Sequence, residues 1–413
     1  MKTSPLHATF EALGATLGDW GGGVIPRGFG ALQTEVDAAR SGAMIVDLSP
    51  LGVLELEGAD TPRFCNSMFT NNIRDLSEGG GNHNALTDKQ GRIFGMLDAY
   101  LIRRDLLLAV MDGSDVTEVS ETLDRYIIMD PIELRDRSDS LGVLTVQGPR
   151  AEEILRAAGI PVPERVHTAW GGGLVARADR TGLGGFDLVI AAEHFAEAWA
   201  ALTAAGATAA GTDALDALRI LRGLPRWPQD MPERAFIHEL GIRERVCNFN
   251  KGCYIGQEII NRMDTMGKVN KRLTALVSDE AAPGAEVLRG EKVVGVITSV
   301  ARVDGRVVSI GVLRKEAGEP GDAVEIKIDE RLVSATISPL PVPRAAGRAP
   351  KRRVVWGCVG GATSAAPPPE GSIGGRDRRS TVVRPPGAAA DPRAPPASRS
   401  PAPRGRQGRS LPI

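Results

Sequence analysis

Two stretches of this chain repeat each other. Residues 51–58 read LGVLELEG and residues 141–148 read LGVLTVQG, identical at five of eight positions at an offset of 90. Each alternates apolar with other side chains, the pattern of a half-buried strand. Each ends in glycine and then opens a helix: Asp60, Thr61 and Pro62 start the first, and Pro149 with Glu152 and Glu153 starts the second. Proline and acidic residues suit a helix N-terminus, where donors are unpaired and the dipole is positive. A strand–glycine–helix unit met twice predicts a duplicated α+β unit.

The segments around the echoes extend this reading. Strands are predicted at 92–102 and 106–111 and a helix at 116–126. After the second echo, 174–179 and 186–190 read as a hairpin turning through Thr181–Gly185, and 194–204 and 213–222 as amphipathic helices. From Lys271 to Ser338 helical periodicity stops. Short strands broken by Gly and Pro follow at 273–278, 292–300, 306–313, 323–328 and 332–337, the spacing of a small antiparallel barrel. The expected division is a first α+β lobe at 1–140, a second at 141–271, a barrel at 272–341 and a tail at 342–413.

The tail differs in kind. It holds 13 of the 28 prolines and carries 14 basic against 3 acidic residues. Such a composition buries too little apolar surface to offset the entropy of ordering, so a disordered basic tail is expected; out-of-frame translation of GC-rich DNA after Pro341 would give the same composition. Residues 1–341 carry 36 basic and 48 acidic residues, a net of −12. An acidic core disfavours bulk nucleic-acid binding. No apolar run has transmembrane length, and the Gly-rich N-terminus lacks the core of a secretory signal. Cys65, Cys247, Cys253 and Cys358 form no CxxC pair. Neither a disulfide framework nor a four-ligand zinc site is expected, and the setting is a reducing cytoplasm.

Three Gly-rich stretches, at 21–23, 79–81 and 182–185, lack the strand–GxGxxG–helix context of a phosphate loop. His83, His167, His194 and His238 share no ligand spacing and read as ordinary histidines. The dense segment is 246–258, VCNFNKGCYIGQE. Gly252 and Gly256 bracket Cys253–Ile255 and permit tight turns or close approach. A helix predicted from Gln257 to Arg262 puts Cys253 just ahead of its N-terminus, and Lys251 lies two residues away; both favour a thiolate. A buried, inert cysteine in a tight turn fits the same residues. Residues 243–272 carry seven basic against three acidic side chains, a local net of +4. That reversal suits an anionic ligand, a carboxylate, a phosphate or RNA, and equally a salt-bridged helix face.

Lys251-Gly252-Cys253-Tyr254-Ile255-Gly256-Gln257-Glu258 resembles the KGCYxGQE signature of the YgfZ family, folate-binding relatives of the glycine-cleavage T-protein. Gly223-Leu224-Pro225 with Asp230-Met231, and Gly267 to Leu273, resemble the flanking segments, and Thr181–Asp187 resembles the T-protein's YTGEDGFE. The resemblance covers about residues 35–340. It implies an α+β, three-lobed ring of two ferredoxin-like α/β units plus a small C-terminal β-barrel, with tetrahydrofolate or a derivative in a central hole. It further implies an accessory role in iron–sulfur cluster assembly or repair, with transient assembly-protein partners, and a link to tRNA modification. Cys253 would be the functional thiol and Lys251 would lower its pKa, with Gly252 and Gly256 setting the turn. Arg219 in Asp-Ala-Leu-Arg, with Tyr254, Gln257 and Glu258, would contact folate. The T-protein's Gly-Gly-Ile-x-Asp-Asp carboxylates are absent: Gly95 and Met96 stand there, with Asp98 two residues on, and Leu183 replaces the glutamate of YTGE. A tetrahydrofolate-dependent aminomethyltransferase is therefore the alternative, and whether the chain is an enzyme stays open.

Overall fold

The computed structural model describes residues 2–111, 116–231, 235–267 and 269–344. The two echo segments become interior strands of two different sheets. Gly52–Glu57 lies between Leu106–Met111 and Glu133–Asp136 in a five-stranded sheet completed by Ile93–Arg103 and Gly80–Thr87. Leu141–Gln147 lies between Gly185–Ala191 and Met44–Asp47 in a six-stranded sheet that ends in Gly173–Arg177 and His167–Trp170 on one side and Thr208–Ala209 on the other.

Equivalent residues of the echo face equivalent ways. Val53 and Val143 turn to a shared central core. Leu54 and Leu56 turn to the helices Thr61–Met68 and Val116–Asp124. Leu144 and Val146 turn to Ala151–Ala157 and Phe195–Ala204. This is strand alternation with both faces covered. The terminal glycines are required. Gly58 and Gly148 have φ of +155° and +142°, and a Cβ would lie 1.9 Å from the Pro131 carbonyl oxygen and 2.4 Å from that of Gly42.

Lys271 to Ser338 forms a closed six-stranded antiparallel barrel, ordered 271–278, 306–314, 292–303, 286–289, 323–328 and 331–338. Glu286–Arg289 is a strand that sequence periodicity missed, four residues beside a register shift.

The lobes are not cut where the sequence suggested. Met44–Asp47, expected in the first lobe, is buried throughout and needs both edges paired; it takes Leu141–Gln147 and Thr208–Ala209 as neighbours in the second sheet. The tail begins later than residue 342. Val342 is buried in the central core, and its N–H donates to the Leu221 carbonyl at 2.7 Å. From residue 345 on, the expected tail, Cys358 included, lies outside the described residues.

One helix ties the lobes together. Thr212–Arg222 buries Ala214, Leu215, Leu218 and Leu221 at helical spacing. It stops at Gly223, φ +77°, whose N–H donates to the Ile220 carbonyl while Leu224 N–H reaches that of Arg219, a paired C-terminal cap. Leu215 and Leu218 share one core with Val46 and Val143 of the second sheet, Val53 and Val110 of the first, and Leu273 and Ile310 of the barrel.

Candidate functional site

A cavity of about 230 Å³ opens where the two sheets and this helix meet. On the first sheet, Gly80–Thr87 and Ile93–Arg103 pair antiparallel with His83 opposite Asp98. Directly opposed residues share a face, and both side chains line the cavity. His83 Nδ1 lies 2.8 Å from Asp98 Oδ1. Burial alone would push the Asp98 carboxyl up. The hydrogen bond and charge of His83, with the charges of Arg180 and Arg245, outweigh it and hold the group at about 2. An ionised carboxylate only accepts, so His83 Nδ1 is the donor.

Arg180 enters from the hairpin of the second sheet. It grips the fully buried Asp187 through Nε at 3.0 Å and Nη2 at 2.6 Å, and Nη2 lies 3.8 Å from Asp98 Oδ2. Tyr100, one turn of the pleat beyond Asp98, lines the same wall, its hydroxyl pKa pushed up by burial.

Arg219 also lines the cavity, but its guanidinium is committed elsewhere. Nε donates to Asp216 at 2.6 Å, Nη1 to Asp230 at 2.7 Å and the Leu224 carbonyl at 3.2 Å, and Nη2 to Ser299 Oγ at 2.9 Å. Arg219 thus joins the helix, the 224–230 connection and the barrel. Four of its donor directions are used within the fold, whereas the sequence reading gave it to a ligand. Arg226 is the better cation for a ligand. Its guanidinium lies 4.9 Å from the Trp20 ring centroid, Asp216 Oδ1 is 3.5 Å from its Nη1, and that buried nitrogen makes no hydrogen bond among the described residues. Arg245 stands on the same rim, with Nη2 on the Asp179 carbonyl at 3.0 Å.

The Lys251–Glu258 motif does not line this cavity. It packs on the first lobe instead. Lys251 Nζ donates to the backbone carbonyls of Phe69 and Asn71 and sits 4.9 Å from the Tyr254 ring centroid. Burial lowers its pKa to about 8. The ammonium therefore serves the 69–71 backbone and faces the buried Cys247 and Cys65, which corrects the expected partnership with Cys253. Tyr254 is a buried core residue, with its hydroxyl 3.2 Å from Cys247 Sγ, and does not line the cavity. Gln257 and Glu258 form the first turn of the helix Gln257–Met266, away from the cavity lining.

Gly256 explains the motif's second glycine. Its φ is +82°, and a Cβ would lie 2.6 Å from the Asp88 carbonyl oxygen and 3.0 Å from Gly91 Cα. Thr87 Oγ1 donates to the Ile255 carbonyl at 2.7 Å, and Ile255 N–H to that of Ser67 at 3.2 Å. Gly252 has no such need: its φ is not positive, and the nearest atom to a Cβ would be Asn66 Nδ2 at 3.8 Å. Between these anchors Cys253 is exposed, whereas Cys65 and Cys247 are buried and their thiol pKa values raised by burial. The inert buried cysteine that the motif also allowed is excluded for Cys253.

Two α+β lobes around one cavity, followed by a closed barrel, define a three-lobed architecture. The chain belongs to the glycine cleavage T-protein family: the GCVT N-terminal domain matches residues 6–251 and the glycine cleavage T-protein C-terminal barrel domain residues 271–342. Among its relatives, the aminomethyltransferase of Bacillus pumilus is 25% identical over 358 residues, covering 83% of this chain and 98% of that protein. That of Corynebacterium aurimucosum is 28% identical over 364 residues, covering 82% and 97%. The crystal structure of glycine cleavage system aminomethyltransferase T from Bartonella henselae superposes with a TM-score of 0.74 at 18% identity, covering 83% of this chain and 98% of that one. The α+β fold with a C-terminal barrel is thus the one the sequence led us to expect. Among the described residues, no helix is long and apolar enough to cross a membrane.

Proposed function

We propose that the chain is a folate-binding accessory protein of the YgfZ type, acting in iron–sulfur cluster assembly or repair through Cys253. The observation that carries this reading is the exposure of Cys253 on a segment whose neighbours, Lys251, Tyr254, Ile255 and Gly256, are all anchored. A thiol presented on a fixed loop can meet a partner's sulfur or metal. One thiolate cannot hold a cluster that needs four, so the contact is transient and the partners are assembly proteins. Folate occupies the central cavity, its carboxylates met by Arg226 and Arg245. The test is complementation of a strain lacking its YgfZ-type factor, read as activity of an iron–sulfur enzyme. Wild type restores that activity and Cys253→Ser does not, at unchanged melting temperature; full rescue by Cys253→Ser refutes the reading.

A second reading is one-carbon transfer from tetrahydrofolate. Asp98 favours it: an ionised carboxylate on the cavity wall, two residues beyond the positions at which the resemblance to the T-protein calls for carboxylates and at which Gly95 and Met96 stand. Such a group can stabilise a developing iminium charge. Methylene-tetrahydrofolate formation from aminomethylated carrier protein, lost in Asp98→Asn, would establish it.

A further inference from the structure

We propose that His83 is a proton-exchanging group of the central cavity, with Asp98 as its positioning partner. The inference rests on the reading that this cavity holds the ligand, and goes beyond it by naming the group that handles a ligand proton. Three observations carry it. The antiparallel register sets His83 and Asp98 side by side on one sheet face, so the ladder keeps the two side chains within reach of each other. Nδ1 donates to Asp98 at 2.8 Å, which fixes the ring's orientation and, in the neutral imidazole, leaves the lone pair on Nε2. Nε2 makes no hydrogen bond to a described residue and is not sealed from solvent, while the ring lines the cavity.

A base oriented by a carboxylate on the wall of a cavity is the arrangement of a catalytic dyad. His83 differs in this from His167, whose Nε2 is taken by the Leu101 carbonyl at 3.0 Å and whose Nδ1 is buried. It differs also from His238, with both ring nitrogens buried.

The ligand class follows from the walls. Arg226 and Arg245 suit a carboxylate, and His83 suits an acidic N–H or ammonium at the other end of the same small molecule. In the step itself, the Nε2 lone pair takes the proton, the ligand nitrogen keeps the electron pair, and the ring's new positive charge is met by Asp98. Arg180, Arg245 and Tyr100 stand closest to the pair, with Asp187 behind Arg180, and Arg177, Asp179, Asp216, Arg219 and Arg226 complete the charged lining; Arg180 is held by Asp187 and Arg245 by the Asp179 carbonyl.

The experiment is long-range 15N NMR of the histidine rings in the full chain, with His83 assigned by its loss in His83→Gln. In the ligand-free protein, at a pH where the ring is neutral, His83 should be the Nδ1–H tautomer, and Asp98→Asn should abolish that preference. Addition of tetrahydrofolate should move Nε2 towards the position of a protonated nitrogen while Nδ1 stays. An Nε2–H tautomer in the free protein, or an unmoved Nε2 at saturating tetrahydrofolate, overturns the proposal. If tetrahydrofolate shifts nothing in the whole spectrum, the folate reading fails, and the tautomer alone decides for or against the dyad.

Discussion

Lys251 shows how one side chain can be misread from its neighbours in sequence. Two residues from Cys253, it invites the role of a thiol activator, yet its stem runs inward to the Phe69 and Asn71 carbonyls. Desolvation sets its pKa at about 8, below the value near 10.4 expected in an unfolded chain. Between those values the unfolded state binds more protons than the folded one. Stability therefore rises with pH across that window, and the cost of burying the ammonium is fully present below it. Lys251→Met keeps the stem and removes both the donor and the titration. Near pH 10, where the wild-type amine is largely neutral in the folded protein, we expect it to destabilise the protein by about 1–3 kcal/mol, since two carbonyls lose a partner. Wild type should then gain stability over the variant as pH rises from 8 to 10. Urea unfolding of both proteins at a series of pH values measures this, and a difference that stays constant or shrinks would show that Lys251 is not buried as a charge.

Gly252 and Gly256 look interchangeable in sequence, and they are not interchangeable in the element they flank. Gly256 sits at φ +82° against Asp88, Thr87 and Gly91, while Gly252 is exposed with open space around it. Gly256→Ala should cost about 2–4 kcal/mol through backbone strain and overlap with neighbouring main chain. Gly252→Ala should fall within about 0.5 kcal/mol of wild type, as surface substitutions do. Thermal melts of the two variants test this; equal losses would remove the argument that Gly256 docks the motif on the 87–91 turn. The same element scale explains what could be read without a structure. The strands, the hairpin at 181–185 and the barrel were legible because apolar alternation and Gly-rich turns mark them. The His83–Asp98 pair was not. The ladder slips by one residue at Leu86/Thr87, and counting back from Thr87 opposite Ile93 without that slip would set His83 against Leu97. Met44–Asp47 was missed because four residues are too few to show a period. The orientation of Lys251 was hidden because its partners are backbone carbonyls about 180 positions away in the chain.

At the scale of the whole molecule, Arg219 is the joint at which the lobes meet. Its guanidinium touches Asp216 on its own helix, Asp230 and the Leu224 carbonyl in the connection, and Ser299 on the barrel. Asp230 is fully buried, and Thr298 and Ser299 donate to its other oxygen at 2.5 and 2.7 Å. Removing the arginine would leave that carboxylate without its counter-charge in the interior. Breaking a buried pair in this way costs about 3–5 kcal/mol, far more than a surface ion pair. Arg219→Ala should therefore lower the urea midpoint steeply, and any loss of tetrahydrofolate affinity should follow from loosening of the joint. Arg226→Ala should differ. It loses the ion pair with Asp216 and the contact with the Trp20 ring, so stability should fall by about 1–2 kcal/mol, less than in Arg219→Ala, whereas a lost charge-assisted contact worth about 1.5–3 kcal/mol would weaken tetrahydrofolate roughly 10- to 100-fold. Unfolding and calorimetry on both variants separate the roles. A wild-type midpoint with weakened folate in Arg219→Ala would return Arg219 to the ligand, and unchanged folate affinity in Arg226→Ala would take Arg226 away from it.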